Sequence, residues 1–490
     1  MNTSVITWSF IGLIGGVPIG QAVWELVRDG EVQALDVVGD VDARRLRAFE
    51  EELQEASFIH QRVTPWYQQL LLTTLRRGNE QAILGRDDVL HYAEDLDYLV
   101  APGVPTGNGS SIEAIVDFAH QLEQVGVDLL LVPVPPKTCA QGAWFSGLTA
   151  NADWIDNSGV ESWYAALDAA GVEHVRVDAL ARESGLGPDF FLRRDTHWSP
   201  EGMGYVAAAV ADRLRARIGV ESQDLRAPSI ESTDAVGDLA GMLRLPAGSD
   251  PFPDQSIEVP LVSRRWGTFD PSSPVLILGD SSTRVYSDPD LHLGEGSGFA
   301  ERVARELRVA VDRIAQVGGG ARAVRESVAR RAGRKAAEGG VAGKQIVVWQ
   351  FSMRDLVIED ERWERIALDL EASAAATLAV PERVTVQAEL METSAVGADF
   401  DYAFALGIHE YRALDAETRA TLGERFWVAH RIVEDSSPTS ESNLVVGARY
   451  DLTLENVDRH HDLEQTSWVD DTDAPRRATF WYALSAERAW

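Results

Sequence analysis

A single cysteine, Cys139, among 490 residues leaves no intramolecular disulfide framework and no cysteine-ligated zinc site. It does not fix the compartment, because a large domain with a good core needs no disulfides outside the cell. Its place just after an apolar strand suits a small packed residue better than a catalytic thiol. Lysine is almost as scarce. Lys137, Lys335 and Lys344 are the whole set, so the 45 basic residues are nearly all Arg, and they face 77 acids for a net charge of −32. A field of that sign repels phosphate backbones and makes nucleic acid a poor partner. It also argues against docking on anionic lipid through a basic surface. Solenoid-period repeats and long low-complexity tracts are missing too. With 45% hydrophobic and 25% charged residues, wholesale disorder is excluded. At roughly 150 residues per domain, the length predicts about three domains.

Charge is also absent from Val5 to Trp24. Such a run, at about 1.5 Å per residue, spans the roughly 30 Å of a bilayer core. Gly12, Gly16 and Gly20 fall on one helix face, a pattern suited to close packing in lipid. There is no basic leader, Pro18 interrupts the run, and no small-residue cleavage site is obvious. Residues 1–27 therefore read as an uncleaved membrane anchor, with a buried amphipathic start as the other reading. Arg28, a lone flanking cation among acids, does not orient it.

Past Leu75 the texture is that of an α/β protein. Strands are expected at Val127–Val134, Val172–Val177, Val275–Leu278, Val311–Val317 and Gln345–Trp349, several of them continuous apolar runs of the kind buried on both faces of a parallel sheet. Helices are expected at Ser162–Ala170, Pro200–Ile218, Gly298–Leu307 and Ala321–Ala337, the second opening on a Ser199-Pro200 cap. The alternation implies a doubly wound parallel sheet, with the polar, Pro-rich residues 219–273 as an insertion. From about Pro381, short runs such as Val384–Leu390, Tyr402–Leu406, Phe426–His430 and Tyr450–Leu454 predict a small all-β domain over 381–490.

Two segments carry chemistry. Asp195-Thr-His197 precedes a helix, and Gly279-Asp280-Ser281 follows a strand. In an open parallel sheet, ligands bind beyond the carboxyl ends of the strands. A serine there presents its hydroxyl to the crevice, a neutral histidine takes its proton, and a nearby aspartate holds the imidazole tautomer. Alone, Gly-Asp-Ser is an ordinary turn and Asp-x-His a metal pair or helix-entry cap; on one sheet edge they reinforce each other.

These motifs resemble the SGNH hydrolase-like O-acetyltransferases of the alginate O-acetyltransferase AlgX/AlgJ type. SGNH enzymes usually place the serine block first; here Asp195 and His197 precede Ser281, the circularly permuted order of that group. Pro133-Val-Pro-Pro-Lys137, Gly237-Asp-Leu-Ala-Gly-Met-Leu and Trp349-Gln-Phe-Ser-Met-Arg354 are also family-like, and the resemblance covers about residues 60–360. It implies a circularly permuted SGNH-type sheet with Ser281 as nucleophile, His197 as general base and Asp195 as its orienting carboxylate. It also implies an oxyanion hole from the Ser281 N–H and a glycine such as Gly319 or Gly320. The usual third donor, an asparagine, has no match, and Gln350 and Arg354 occupy that region.

Other signals stay open or weak. Gly318-Gly-Gly-Ala-Arg-Ala323 fits a dinucleotide turn, but no acid ends the next strand to grip a ribose, and no cofactor is expected. His460-His461 offers a metal pair without a third ligand, and no metal site is expected; His292 reads as a surface-loop residue. Arg193 and Arg194 either steer an anionic sugar or are plain surface arginines. Tyr402, Trp427, Tyr450, Trp468, Trp481 and Tyr482 either stack on sugars or fill a core. The resemblance implies a periplasmic or other extracytoplasmic enzyme acetylating a secreted polysaccharide. Its donor would be a membrane-bound O-acyltransferase, and its β-rich domain would hold the polymer. The alternatives are an acetylesterase of the same fold, with water as acceptor, and a non-catalytic polysaccharide-binding or assembly protein.

Overall fold

The computed structural model describes residues 62–489, apart from short internal stretches of which the longest are 221–227, 263–268, 371–382, 395–403 and 473–479. In the α/β part, the strands in chain order are β1 (Ala82–Leu84), β2 (Leu90–Tyr92), β3 (Asp128–Val134), β4 (Glu173–His174), β5 (Ile230–Ala235) and β6 (Gln255–Pro260). They continue with β7 (Val275–Gly279), β8 (Asp312–Ala315) and β9 (Ile346–Ser352). Five of them form one parallel sheet in the order β4-β3-β9-β7-β8.

The alternation of side chains along these strands explains why both faces are covered. Leu130, Val132, Val275, Ile277, Ile346 and Val348 face one core, under the helices Val177–Glu183, Pro200–Ile218 and Phe299–Leu307. Leu129, Leu131, Leu276, Leu278, Val347 and Trp349 face the other, under Ser111–Glu123, Val160–Ala170 and Gly320–Arg331. A strand buried on both sides has no polar face, so it reads in sequence as an unbroken apolar run. The doubly wound sheet expected from sequence is present.

Several boundaries differ. The strand expected at Val172–Val177 is only Glu173–His174, because it lies at the sheet edge and Val177 already begins a helix. The last strand runs on to Ser352, which puts Gln350 inside the sheet, opposite Val132. Residues 219–273 are not wholly irregular. They hold the antiparallel pair β5–β6 and the short helix Asp238–Met242; β5, IESTDA, is largely exposed and polar and so carries no apolar alternation.

The carboxy-terminal strands are β10 (Arg383–Thr393), β11 (Ala405–Ala413), β12 (Arg425–Glu434), β13 (Ser437–Pro438), β14 (Arg449–Asn456), β15 (Ser467–Val469) and β16 (Phe480–Arg488). Their order is β13-β12-β16-β14-β10-β11-β15, and β11 also pairs with β12. That extra pairing closes β12, β16, β14, β10 and β11 into a barrel, which removes the open edges a sheet this size would otherwise present. Tyr450 and Trp481 fill the barrel core, and Trp427, Trp468 and Tyr482 pack at its second cluster. Five of the tail aromatics therefore do packing work; Tyr402 lies outside the described residues.

The helix Thr64–Leu75 belongs to a separate small unit and exposes Trp66, Tyr67 and Leu70. Among the described residues no helix is long and apolar enough to cross a membrane, and residues 1–27 lie outside them.

Candidate active site

Strand β7 ends at Gly279, and the chain turns at once into a one-turn helix that begins with Ser281. Asp280 caps that turn, its Oδ1 accepting from the Ser282 N–H at 2.7 Å, while its Oδ2 accepts from the Ser352 N–H at 3.0 Å. One carboxylate thus binds the ends of two neighbouring strands together. Gly279 is required by space: a Cβ there would collide with Thr283 Oγ1 and lie 2.9 Å from Gln350 Oε1. The Ser281 N–H, at the first helical position, has no partner within its own helix and is available to an anion.

Asp195 and His197 sit in a tight loop closed by an antiparallel bridge between Phe191 and Trp198 and by the Leu192 N–H to the His197 carbonyl at 3.0 Å. The next residues start the helix Pro200–Ile218, capped by Ser199. His197 Nδ1 lies 2.6 Å from Asp195 Oδ1, which also accepts the His197 N–H at 2.9 Å. Nδ1 is thus engaged, and the other ring nitrogen, Nε2, is buried without a hydrogen-bond partner. No hydrogen bond joins it to Ser281 in this structure. The two motifs are tied by the residues beside them. Trp198 Nε1 donates to the Ser282 carbonyl at 3.0 Å, and the Tyr286 hydroxyl donates to the Trp198 carbonyl at 2.7 Å.

Two residues outside the expected site set, Lys137 and Asp238, hold the loop. Lys137 is fully buried, and its Nζ donates to the carbonyls of Leu192 (2.7 Å), Arg193 (3.1 Å) and Asp195 (2.8 Å). Burial pushes its pKa down to about 8 against the pull of Asp238, Asp195 and Asp95. Asp238 comes from the segment read as an insertion. Its N–H donates to Asp195 Oδ2 at 3.0 Å, and its carboxylate accepts from the Thr196 N–H (2.8 Å) and hydroxyl (2.5 Å). The only local signal for either was membership in short family-like stretches. Their partners are 42 to 58 residues away, beyond the reach of any spacing rule.

The electrostatics follow from this packing. Burial works to lower the His197 pKa, but the Asp195 carboxylate beside it, with its hydrogen bond, outweighs burial and holds it above the ordinary value. Burial works to raise Asp195, and the charge and hydrogen bonds of His197 hold it below the usual range. Burial and the Asp195 charge push Asp238 up to about 6. Asp195, His197 and Asp238 bring their ligand atoms within 4.8 Å of one another. The 2.6 Å Nδ1–Oδ1 contact is a hydrogen-bond length, however, and a shared ion would force those atoms apart, so the group reads as an acid–base device.

The remaining candidates scatter. Gln350 stands beside the serine turn: its Oε1 accepts from the Asp280 N–H (3.2 Å) and Thr283 hydroxyl (2.7 Å), and its Nε2 is buried without a partner. Arg354 reaches the Ser352 hydroxyl at 2.9 Å and pairs with buried Asp95 at 3.2 Å. Gly320 opens the helix after β8 with a φ of 56°, and Gly319 lies outside the described residues. Arg194 is not a surface residue; it is buried, with its guanidinium over Phe252 at 5.8 Å. Arg193 stacks on Trp144 at 4.7 Å. His460 pairs with Glu455 at 2.9 Å, and His461 and His292 lie outside the described residues. Cys139 is buried, and burial pushes its thiol up, which suits packing and not nucleophilic attack.

Counting strands from β7, the serine strand, turns the sheet order into 2-1-3-4-5, the order of a doubly wound fold with its switch point beside strand 1. The protein is a circular permutant of the SGNH hydrolase-like class, with the Asp–His loop moved ahead of the serine. More narrowly, the model of the family described as "SGNH hydrolase-like domain, acetyltransferase AlgX" matches residues 82–353, more than half of the chain, and the chain belongs to that family. It is 26% identical over 265 residues to "Probable alginate O-acetylase AlgJ" of Pseudomonas aeruginosa, covering 52% of this chain and 63% of that protein. The O-acetyltransferase domain of Pseudomonas putida AlgJ is 22% identical, with a TM-score of 0.41, over 57% of this chain and 92% of that one. Pseudomonas aeruginosa AlgX is 16% identical, with a TM-score of 0.43, over 64% and 71%.

Proposed function

We propose that this protein acetylates hydroxyl groups of a secreted polysaccharide through an acyl-enzyme on Ser281. The observation that carries this reading is the Asp195–His197 pair, its Nε2 unpartnered, in a loop bonded through Trp198 to the serine turn. Ser281 Oγ attacks the acetyl carbonyl of a donor ester while His197 Nε2 takes its proton. The tetrahedral intermediate collapses, and His197 returns that proton to the departing alkoxide. A sugar hydroxyl then attacks the acyl-enzyme, His197 takes its proton, and Ser281 leaves protonated. Asp195 keeps Nδ1 protonated and offsets the imidazolium charge. The Ser281 N–H and Gln350 Nε2 would donate to the oxyanion, with Gly319, Gly320 and Arg354 as the further candidates.

Membership in an acetyltransferase family supports transfer over hydrolysis, and the name of the Pseudomonas aeruginosa relative supports a uronate polymer such as alginate as acceptor. The donor would be a membrane-bound O-acyltransferase. The site would lie in the periplasm or an equivalent extracytoplasmic space, tethered by residues 1–27, with the barrel over 381–490 holding the polymer.

The test is acetylation of Ser281 by a generic acetyl ester, followed by mass spectrometry of an added oligosaccharide. Acetylated sugar, with slow turnover in water alone, is expected, because a positioned hydroxyl gains an effective molarity up to about 10⁵ M or more. Fast hydrolysis with no acetylated sugar, across uronate and neutral polymers, makes the protein an esterase. Failure of every donor to acylate Ser281 removes the catalytic reading.

A further inference from the structure

The Asp–His pair is flanked by a second carboxylate that the serine mechanism does not require. Asp238 Oδ2 lies 3.8 Å from His197 Nδ1, the nitrogen already bonded to Asp195, and Asp238 also holds the other two residues of that loop, Asp195 and Thr196. Its N–H fixes Asp195 Oδ2, the oxygen that His197 does not use. Its carboxylate takes both donors of Thr196, the residue between the two. The approach demands a glycine just before it: Gly237 has a φ of 89°, and a Cβ there would collide with the Arg194 carbonyl. Backbone, side chain and turn are all committed to one position.

We propose that Asp238 is a positioning residue for His197, locking the Asp195–Thr196–His197 loop and sharing the imidazolium charge with Asp195. The inference rests on the reading of His197 as general base. His197 faces three acids: Asp195 of its own loop, Asp238 from the segment after β5, and Asp280 from the serine turn. Asp238 in turn faces Asp195, His197 and the buried Lys137, and Lys137 also faces Asp95 and His91. Lys137 thus supplies the buried cation that lets two carboxylates stand beside one imidazole. Two negative groups around Nδ1 stabilise the protonated ring more than one does, so the loss of the Asp238 charge makes His197 a weaker base.

The experiment is an NMR titration of the His197 ring in the full-length protein, assigned by difference from a His197→Gln variant and run without substrate. In Asp238→Asn, which keeps the shape and one acceptor, the His197 midpoint should fall by about one pH unit. Asp238→Glu, which keeps the charge, should leave it near the wild-type value. A midpoint unchanged in Asp238→Asn overturns the proposal. If that variant does not fold, Thr196→Val tests the same contact from the other side. Without the hydroxyl donor Asp238 is neutral over more of the range, so the His197 midpoint should again fall, and an unmoved midpoint overturns the proposal. A purely structural role would lower stability without moving the titration. Because no substrate is present, the result stands apart from whether the protein transfers acetyl groups. Loss of the catalytic reading would show instead as ester turnover unchanged in His197→Gln.

Discussion

Trp198 Nε1 donates to the Ser282 carbonyl at 3.0 Å, so the residue after the histidine is bonded to the residue after the serine across 84 positions of chain. Tyr286 closes the loop from the other side by donating to the Trp198 carbonyl at 2.7 Å. Trp198 and Tyr286 are both fully buried, so neither bond is traded for water.

Replacing Trp198 with Phe keeps most of the ring volume and leaves the Ser282 carbonyl without this donor. A buried acceptor stranded in this way costs about 1–3 kcal/mol. Thermal melting should register that loss, and acylation of Ser281 by an acetyl ester should slow, because the serine turn and the histidine loop lose their tie. Melting and acylation both at the wild-type level would show that the bond does not couple the motifs.

Ser281→Ala and His197→Ala should each lower ester turnover by roughly 10⁴–10⁶, with little further loss when combined, since such groups act as a unit. Asp195→Asn keeps the shape but turns an acceptor toward a donor at Nδ1, and should cost about 10⁴. Additive losses would mean the three do not work together.

Acidity should separate activity from stability. As the proposed base, His197 works only when neutral, and its pKa is held above the ordinary 6.5, so turnover should rise with pH through that raised value. A group whose pKa is raised on folding stabilises most below its unfolded pKa and loses that contribution as pH rises through the folded one. The melting advantage of wild type over His197→Gln should therefore be greatest in acid and shrink toward alkaline pH, just where turnover appears. An advantage that grows with pH would show that the Asp195 pairing does not stabilise the charged ring.

Part of this site was legible because its chemistry is local. Asp195 and His197 are two residues apart, and Gly279-Asp280-Ser281 is a strand end turning into a helix, so sequence spacing alone brings each motif together. The central strands were legible for a related reason. Leu129 and Leu131 serve one core while Leu130 and Val132 serve the other, and burial on both sides writes itself as an apolar run. Lys137 and Asp238 were illegible because their work is done at long range. Lys137 reaches three carbonyls 55 to 58 residues away, and Asp238 lies in a stretch whose exposed polar strand resembles loop. That the two motifs work together is inferred from strand ends; the Trp198–Ser282 bond, which ties the residues beside them, has no sequence signature.

Gln350 offers a sharper test of how the oxyanion is held. The residue sits inside β9 opposite Val132, fully buried, so its amide has little freedom. Its Oε1 accepts from the Asp280 N–H and from the Thr283 hydroxyl, and these contacts turn Nε2 away from them and leave it without a partner. A buried amide nitrogen beside the nucleophile turn costs stability unless something accepts its hydrogens, and the oxygen that develops charge during attack on the acyl carbonyl is such a group. Gln350→Glu keeps both acceptor contacts and removes the donor. Acylation of Ser281 should drop by about 10²–10³, the loss typical of one oxyanion donor, with the sheet still folded by circular dichroism. Thr283→Val removes one of the contacts that orients the amide but leaves the donor, so its loss should be smaller. If Gln350→Glu acylates as fast as the wild type, the oxyanion is held by backbone groups alone, and the unpartnered Nε2 has no part in the reaction.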